Sequence, residues 1–231
     1  GTGAGEWLIA PTADETFTLS EGKEYTAVVV RSDANVTLNG TGYISGTASL
    51  NKTGQGTLVV ASDQHYTGAT VLHHGVYEFS SLKNGDVASG LGKSQEFAQN
   101  WVMDGGVYKY TGPTTATNRS ASLYNDTELN ISKSGTVVTM NGSFEGKLSS
   151  KDVSDKGLGK ASKLVLQGGA FTAVGKNEAN VTYNFPIEVV AGTTSSTYFD
   201  LWNTNKCTVT GTGTLEWGVT YLREYIEGNW D

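Results

Sequence analysis

With 231 residues, 30 of them Gly, only 3 Pro and a single Cys, the chain is long enough for one sizeable domain and excludes an internal disulfide framework. A net charge of -7 repels phosphate backbones, and no cluster of Lys and Arg interleaved with aromatics offsets it, so nucleic acid is set aside. No apolar stretch reaches transmembrane length, which argues against membrane insertion.

Gly1 to Gly5 has neither a basic region nor an apolar run, so the start reads as mature chain. Ala27 to Val30 is an apolar run one strand long, and Asn39-Gly40 marks a turn after it. Leu58 and Val60 face one way by period-two alternation. Leu72-His73-His74-Gly75-Val76-Tyr77 reads as strand, turn and strand, and it aligns with Met103 to Tyr108. Gly90-Leu91-Gly92-Lys93-Ser94 followed by Asn100 to Tyr108 recurs as Gly157-Leu158-Gly159-Lys160-Ala161 followed by Lys163 to Phe171. The two openings stand 67 residues apart (157 minus 90). Thr136 to Met140 and Ile187 to Ala191 are further strand-length runs, with Asn141-Gly142 a second turn signal. Thr220 and Tyr221 read as strand, while Leu222 to Glu227 could form one helical turn stopped by Gly228. Both readings of that segment stay open.

Repetition of this kind implies stacking. At roughly 20 to 25 residues per coil, the interval between the copies holds about three coils and the whole chain about nine or ten. An antiparallel sandwich or barrel uses the same short strands and glycine turns, but it does not need the displaced repeat. The expected fold is therefore an all-β parallel β-helix.

Ser45-Gly46-Thr47-Ala48-Ser49-Leu50-Asn51-Lys52-Thr53-Gly54-Gln55-Gly56-Thr57-Leu58, then Tyr66-Thr67-Gly68-Ala69-Thr70, resembles the autotransporter-associated β-strand repeat. Tyr110 to Arg119 and Gly211-Thr212-Gly213-Thr214-Leu215 resemble pieces of it. The resemblance implies a right-handed parallel β-helix, bacterial and secreted or displayed at the cell surface. It divides a single domain, 1–231, into first coils or a cap (1–41), repeat coils (42–217) and a C-terminal coil or cap (218–231). A parallel β-helix family of carbohydrate-binding modules attached to gut bacterial xylanases is similar too. That resemblance implies a plant polysaccharide ligand, xylan above all, and an appended catalytic domain as partner.

Charged residues are only 17%, so Ser, Thr, Asn and Gly carry most of the polarity and suit a neutral ligand. A pectin-active lyase or hydrolase would need a calcium-binding carboxylate cluster with a base, or paired Asp residues. Neither is evident, and Arg31, Arg119 and Arg223 are scattered without acidic partners in sequence. No cofactor is expected. Glu188, Asp200 and Glu216 would make a calcium ladder if their strands stacked, but solvated surface carboxylates are the commoner explanation. His73 and His74 read as turn residues, and Asp152 to Asp155 as a solvated loop.

Aromatic rings can cover the apolar face of a sugar while polar neighbours bond its hydroxyls. Trp101, Tyr77, Tyr108, Phe171 and Trp217 share the inward register and are assigned to the core. In Tyr198-Phe199-Asp200-Leu201-Trp202 the alternation sends Tyr198, Asp200 and Trp202 outward together. They form the expected sugar platform, extended by Tyr221 and Tyr225, with Asn203 and Lys206 as hydroxyl contacts. The expected function is thus a non-catalytic xylan-binding module, with a pectin-active enzyme and a structural stalk or adhesin segment as the alternatives.

Overall fold

The computed structural model describes residues 5–125, 127–142, 144–146, 164–168, 170–173, 187–197 and 209–216. Every ladder between its strands is parallel. That settles the choice against an antiparallel sandwich, because parallel neighbours require the chain to travel round before it returns.

The strands fall on three faces. The first carries Gly5–Ile9, Gly22–Arg31, Ser49–Thr53, Thr70–Leu72, Trp101–Asp104, Ala121–Asn125 and Phe144–Gly146, stacked in that order. The second carries Glu15–Leu19, Val36–Gly40, Thr57–Val60, Val76–Phe79, Val107–Tyr110, Thr127–Ile131, Leu164–Gly168, Ile187–Val189 and Val209–Gly211. The third is formed later by Thr115–Thr117, Val137–Met140, Ala170–Ala173, Thr194–Thr197 and Thr214–Glu216. Where the first and second faces run side by side the protein is a β-solenoid of about seven turns.

Side-chain bonds between turns set the pitch of the chain. Asp14 accepts from the Asn35 amide 21 residues on, at 2.8 Å, and Asp33 accepts from the Gln55 amide 22 residues on, also at 2.8 Å. Across the excursion Ser80 to Asn100 the same relation stretches, so that Thr117 Oγ1 donates to Lys83 O 34 residues earlier. Coil length is therefore uneven. Leu72 pairs with Met103 and Tyr77 with Tyr108, so that alignment is true strand register. The longer repeat is not. Trp101 lies on the first face and Leu164 on the second, and the interval holds two turns and part of a third rather than three coils.

The core is built from columns of register partners. On the second face Val36, Leu58, Tyr77, Tyr108, Leu129, Leu166 and Val189 lie one above another, all buried. Each such side chain is worth about 1.5–3 kcal/mol through removal from water. Tyr77 and Tyr108 sit 5.5 Å apart between ring centroids, and Trp101 meets Tyr108 edge-on at 5.7 Å. The buried hydroxyls are matched, since Tyr77 donates to Gly90 O at 2.7 Å and Tyr108 to Val102 O at 2.9 Å. The expected inward placement of Trp101, Tyr77 and Tyr108 thus holds. Phe171 lies in a third-face strand whose burial is not described, and Trp217 is outside the described residues.

Corners between the first two faces need glycine. Gly106 has φ +72°, and a Cβ there would come within 2.6 Å of Gly75 O in the turn below. Neither the backbone angle nor the space admits a side chain.

One inward position breaks the apolar rule. Lys52 follows Val30 and precedes Leu72 in a core column, fully buried, and its Nζ donates to Thr53 O at 2.9 Å and Gly54 O at 2.7 Å. Burial pushes its pKa down to about 8, with Asp33 pulling the other way. In the unfolded chain a lysine titrates near 10.4, so between those values the unfolded state binds more protons. Stability should therefore rise on the order of 2 kcal/mol from pH 8 toward pH 10. Above about pH 10 it should fall, because burial holds the Tyr66, Tyr77 and Tyr108 hydroxyls protonated only in the folded state. Lys52→Met should remove the rise and keep the fall. Urea midpoints measured from pH 7 to pH 11 check this, and an unchanged rise in the variant would contradict it.

Candidate functional site

The excursion Ser80 to Asn100 replaces the third face between Val76–Phe79 and Trp101–Asp104 and plugs that side with buried Leu82 and Leu91. Arg119 fastens it. Its Nε donates to Lys83 O at 2.9 Å, Nη1 to Ser94 Oγ at 2.9 Å, and Nη2 to Gly92 O at 3.0 Å and Val87 O at 3.3 Å. Arg119 is 1% exposed, and burial lowers its pKa although Tyr66, Asp86 and Glu96 draw it up. Sequence separation had left this arginine without a partner, and the acceptors prove to be mainly carbonyls, which carry no sequence signature.

At the corner that leads to the second face, polar side chains bridge three turns of the first face. His73 Nδ1 lies 2.7 Å from Asp104 Oδ2, and Asn125 Nδ2 donates to Asp104 Oδ1 at 2.5 Å. His73 is the expected corner residue, and it is a hydrogen-bonding one. The strand register slips between Met103 and Asp104, so that Asp104 faces Asn125 and Tyr124 bulges from the ladder. Tyr124 is 42% exposed. At the other end of that rung, Ser120 N donates to Glu96 O at 2.7 Å and brings Phe97, 52% exposed, beside the start of Ala121–Asn125. Gln95 and Gln99 flank Phe97 and are exposed. The sequence reading passed over these rings because neither lies in the period-two pattern of a regular strand.

Tyr198, Asp200, Trp202, Asn203, Lys206, Tyr221 and Tyr225 lie outside the described residues, as do Asp152 to Asp155 and the segment Leu222 to Glu227. The calcium ladder is not assembled. Glu188 is on the second face with Val165 and Thr210 as register partners, whereas Glu216 is on the third face paired with Ser196. Among the described residues no group of three His, Cys, Asp or Glu is placed to hold a metal ion, and no helix is long and apolar enough to cross a membrane. Two cross-turn ion pairs, Lys109–Glu78 at 2.9 Å and Lys83–Asp63 at 2.5 Å, link neighbouring turns among the described residues.

Continuous parallel ladders, a filled interior and polar side chains bridging the turns define a parallel β-solenoid. Over 138 residues, 58% of its length, the chain is 33% identical to the adhesin BmaC autotransporter of Brucella suis biovar 1 (strain 1330). The matched stretch spans 4% of that adhesin. No protein-family model matches the chain, and no solved structure does.

Proposed function

We propose that this chain is a length of cell-surface, adhesin-type solenoid, a right-handed rod of nine or ten turns and one domain that holds a binding surface away from the cell. The observation that carries this reading is the unbroken parallel stacking together with the 33% identity to an autotransporter adhesin. Its role is non-catalytic and needs no cofactor. The reading as a xylan-binding module attached to a glycoside hydrolase rests on the Tyr198 to Trp202 strip, which is outside the described residues. Similarity to an adhesin lends that reading no support, so the stalk or adhesin role stands first.

Antibodies raised against residues 5–125 should label intact cells of the producing organism, and added protease should strip the signal. Labelling seen only after permeabilisation would contradict the surface assignment. Incubation with xylan or pectin, with and without calcium, should release neither reducing ends nor unsaturated products, and turnover would reverse the non-catalytic reading.

A further inference from the structure

Among the described residues four large apolar side chains are exposed, Leu8, Val87, Phe97 and Tyr124, and the two that are aromatic flank a single rung of the first face. Phe97 adjoins the start of Ala121–Asn125 through the Ser120 N to Glu96 O bond, and a strand rise of about 3.3 Å per residue sets Ala121 and Tyr124 roughly 10 Å apart, the span of a short oligosaccharide. Their neighbours are amides: exposed Gln95 and Gln99 beside Phe97, and exposed Asn125 beside Tyr124. Asn125 is held in place, since its Nδ2 donates to Asp104 Oδ1, so its carbonyl oxygen is fixed as an acceptor. Asp104 itself is occupied on both oxygens, by Asn125 and His73.

We propose that this part of the first face binds a neutral saccharide, with Phe97 and Tyr124 as ring platforms and Gln95, Gln99 and Asn125 as partners for its hydroxyls. An aromatic ring removes the apolar C–H face of a sugar from water, and planar amides both donate and accept. A protein partner fits less well, because two separated rings among amides do not make the contiguous apolar patch that protein docking surfaces show. Anchoring favours binding as well. Arg119 locks the excursion that presents Phe97, so little ordering entropy is lost on contact.

This inference rests on the adhesin-type reading and names its ligand class, and the two are tested by separate readouts. Surface labelling, as above, reports location alone. For the ligand, the full chain is run in native affinity gels containing soluble xylan, glucan, mannan or galactan, with pectin and heparin as charged controls. Wild-type chain should be retarded by at least one neutral polymer, and Phe97→Ala and Tyr124→Ala should each weaken that retardation tenfold or more. Trp202→Ala should run as wild type. Both ring residues are exposed, so the variants should keep the wild-type circular dichroism spectrum. Should either lose it, Gln99→Ala or Asn125→Ala takes its place with the same expected loss. The proposal is overturned if no neutral polymer retards the wild type, if only a charged polymer does, if the ring variants run as wild type, or if Trp202→Ala alone loses retention.

Discussion

Arg119→Met should lower the unfolding free energy by about 3–5 kcal/mol, the range for removing one partner of a buried, charged hydrogen-bond network. Methionine keeps much of the volume and removes every donor. Lys83 O, Gly92 O, Val87 O and Ser94 Oγ then lose their common partner. The damage should be local at first. Thr115 and Thr117 still donate to Leu82 O and Lys83 O, so the start of the excursion stays docked while its middle is released. Limited proteolysis should therefore cut the variant between Lys83 and Lys93 well before the coil unfolds, whereas the wild type resists there. Equal resistance in both, with an unchanged urea midpoint, would mean the arginine is dispensable.

Trp101→Ala should cost about 3–5 kcal/mol, as expected when a buried indole leaves a cavity. Trp101 is 1% exposed and sits in register with Thr70, while Ala121 immediately precedes the Val102–Ser122 pair in the turn above. Small residues on either side give the indole its room, so neighbours cannot collapse far enough to fill the void. Tyr108 loses its edge-on partner as well. The expected readout is a lowered midpoint at an unchanged denaturant slope, since the native and unfolded surfaces stay similar. A midpoint within error of wild type would show that the indole is not part of the packed interior.

How much of this was legible in sequence depends on how local each feature is. Period-two alternation is local, so the inward placement of Leu58, Val60, Tyr77 and Tyr108 could be read directly. Parallel stacking could be read from Leu72 to Tyr77 and Met103 to Tyr108, because the same strand, turn and strand grammar recurs where the strands are true neighbours. Register further along the chain could not. It depends on every intervening element, and between Trp101 and Leu164 the chain passes through the third-face strands Thr115–Thr117 and Val137–Met140, which period-two alternation does not count.

Lys52 escaped notice because an inward lysine is exceptional, and only the carbonyls of the adjoining corner make it tolerable. The His73, Asp104 and Asn125 bridge was hidden for the same reason as register, since 31 residues separate its first two members. Phe97 and Tyr124 stand where the alternation breaks, one before a short 3-10 turn at Ala98–Asn100 and the other in a bulge. A pattern argument assigns the regular strand and is silent about its interruptions, and those interruptions carry the exposed rings.

Parallel stacking is the claim on which the rest depends, and pairwise cross-linking tests it most directly. On the second face Thr57 is the partner of Val76, and Val59 the partner of Glu78. All four side chains point outward between inward Leu58, Val60, Tyr77 and Phe79. In a Cys207→Ser background, Thr57→Cys with Val76→Cys and, separately, Val59→Cys with Glu78→Cys should both form disulfides rapidly under mild oxidation. Partner spacing in a ladder lies within disulfide reach. Antiparallel strands that allowed one of these pairs would hold the other apart, so a single reactive pair, or none, would contradict the solenoid.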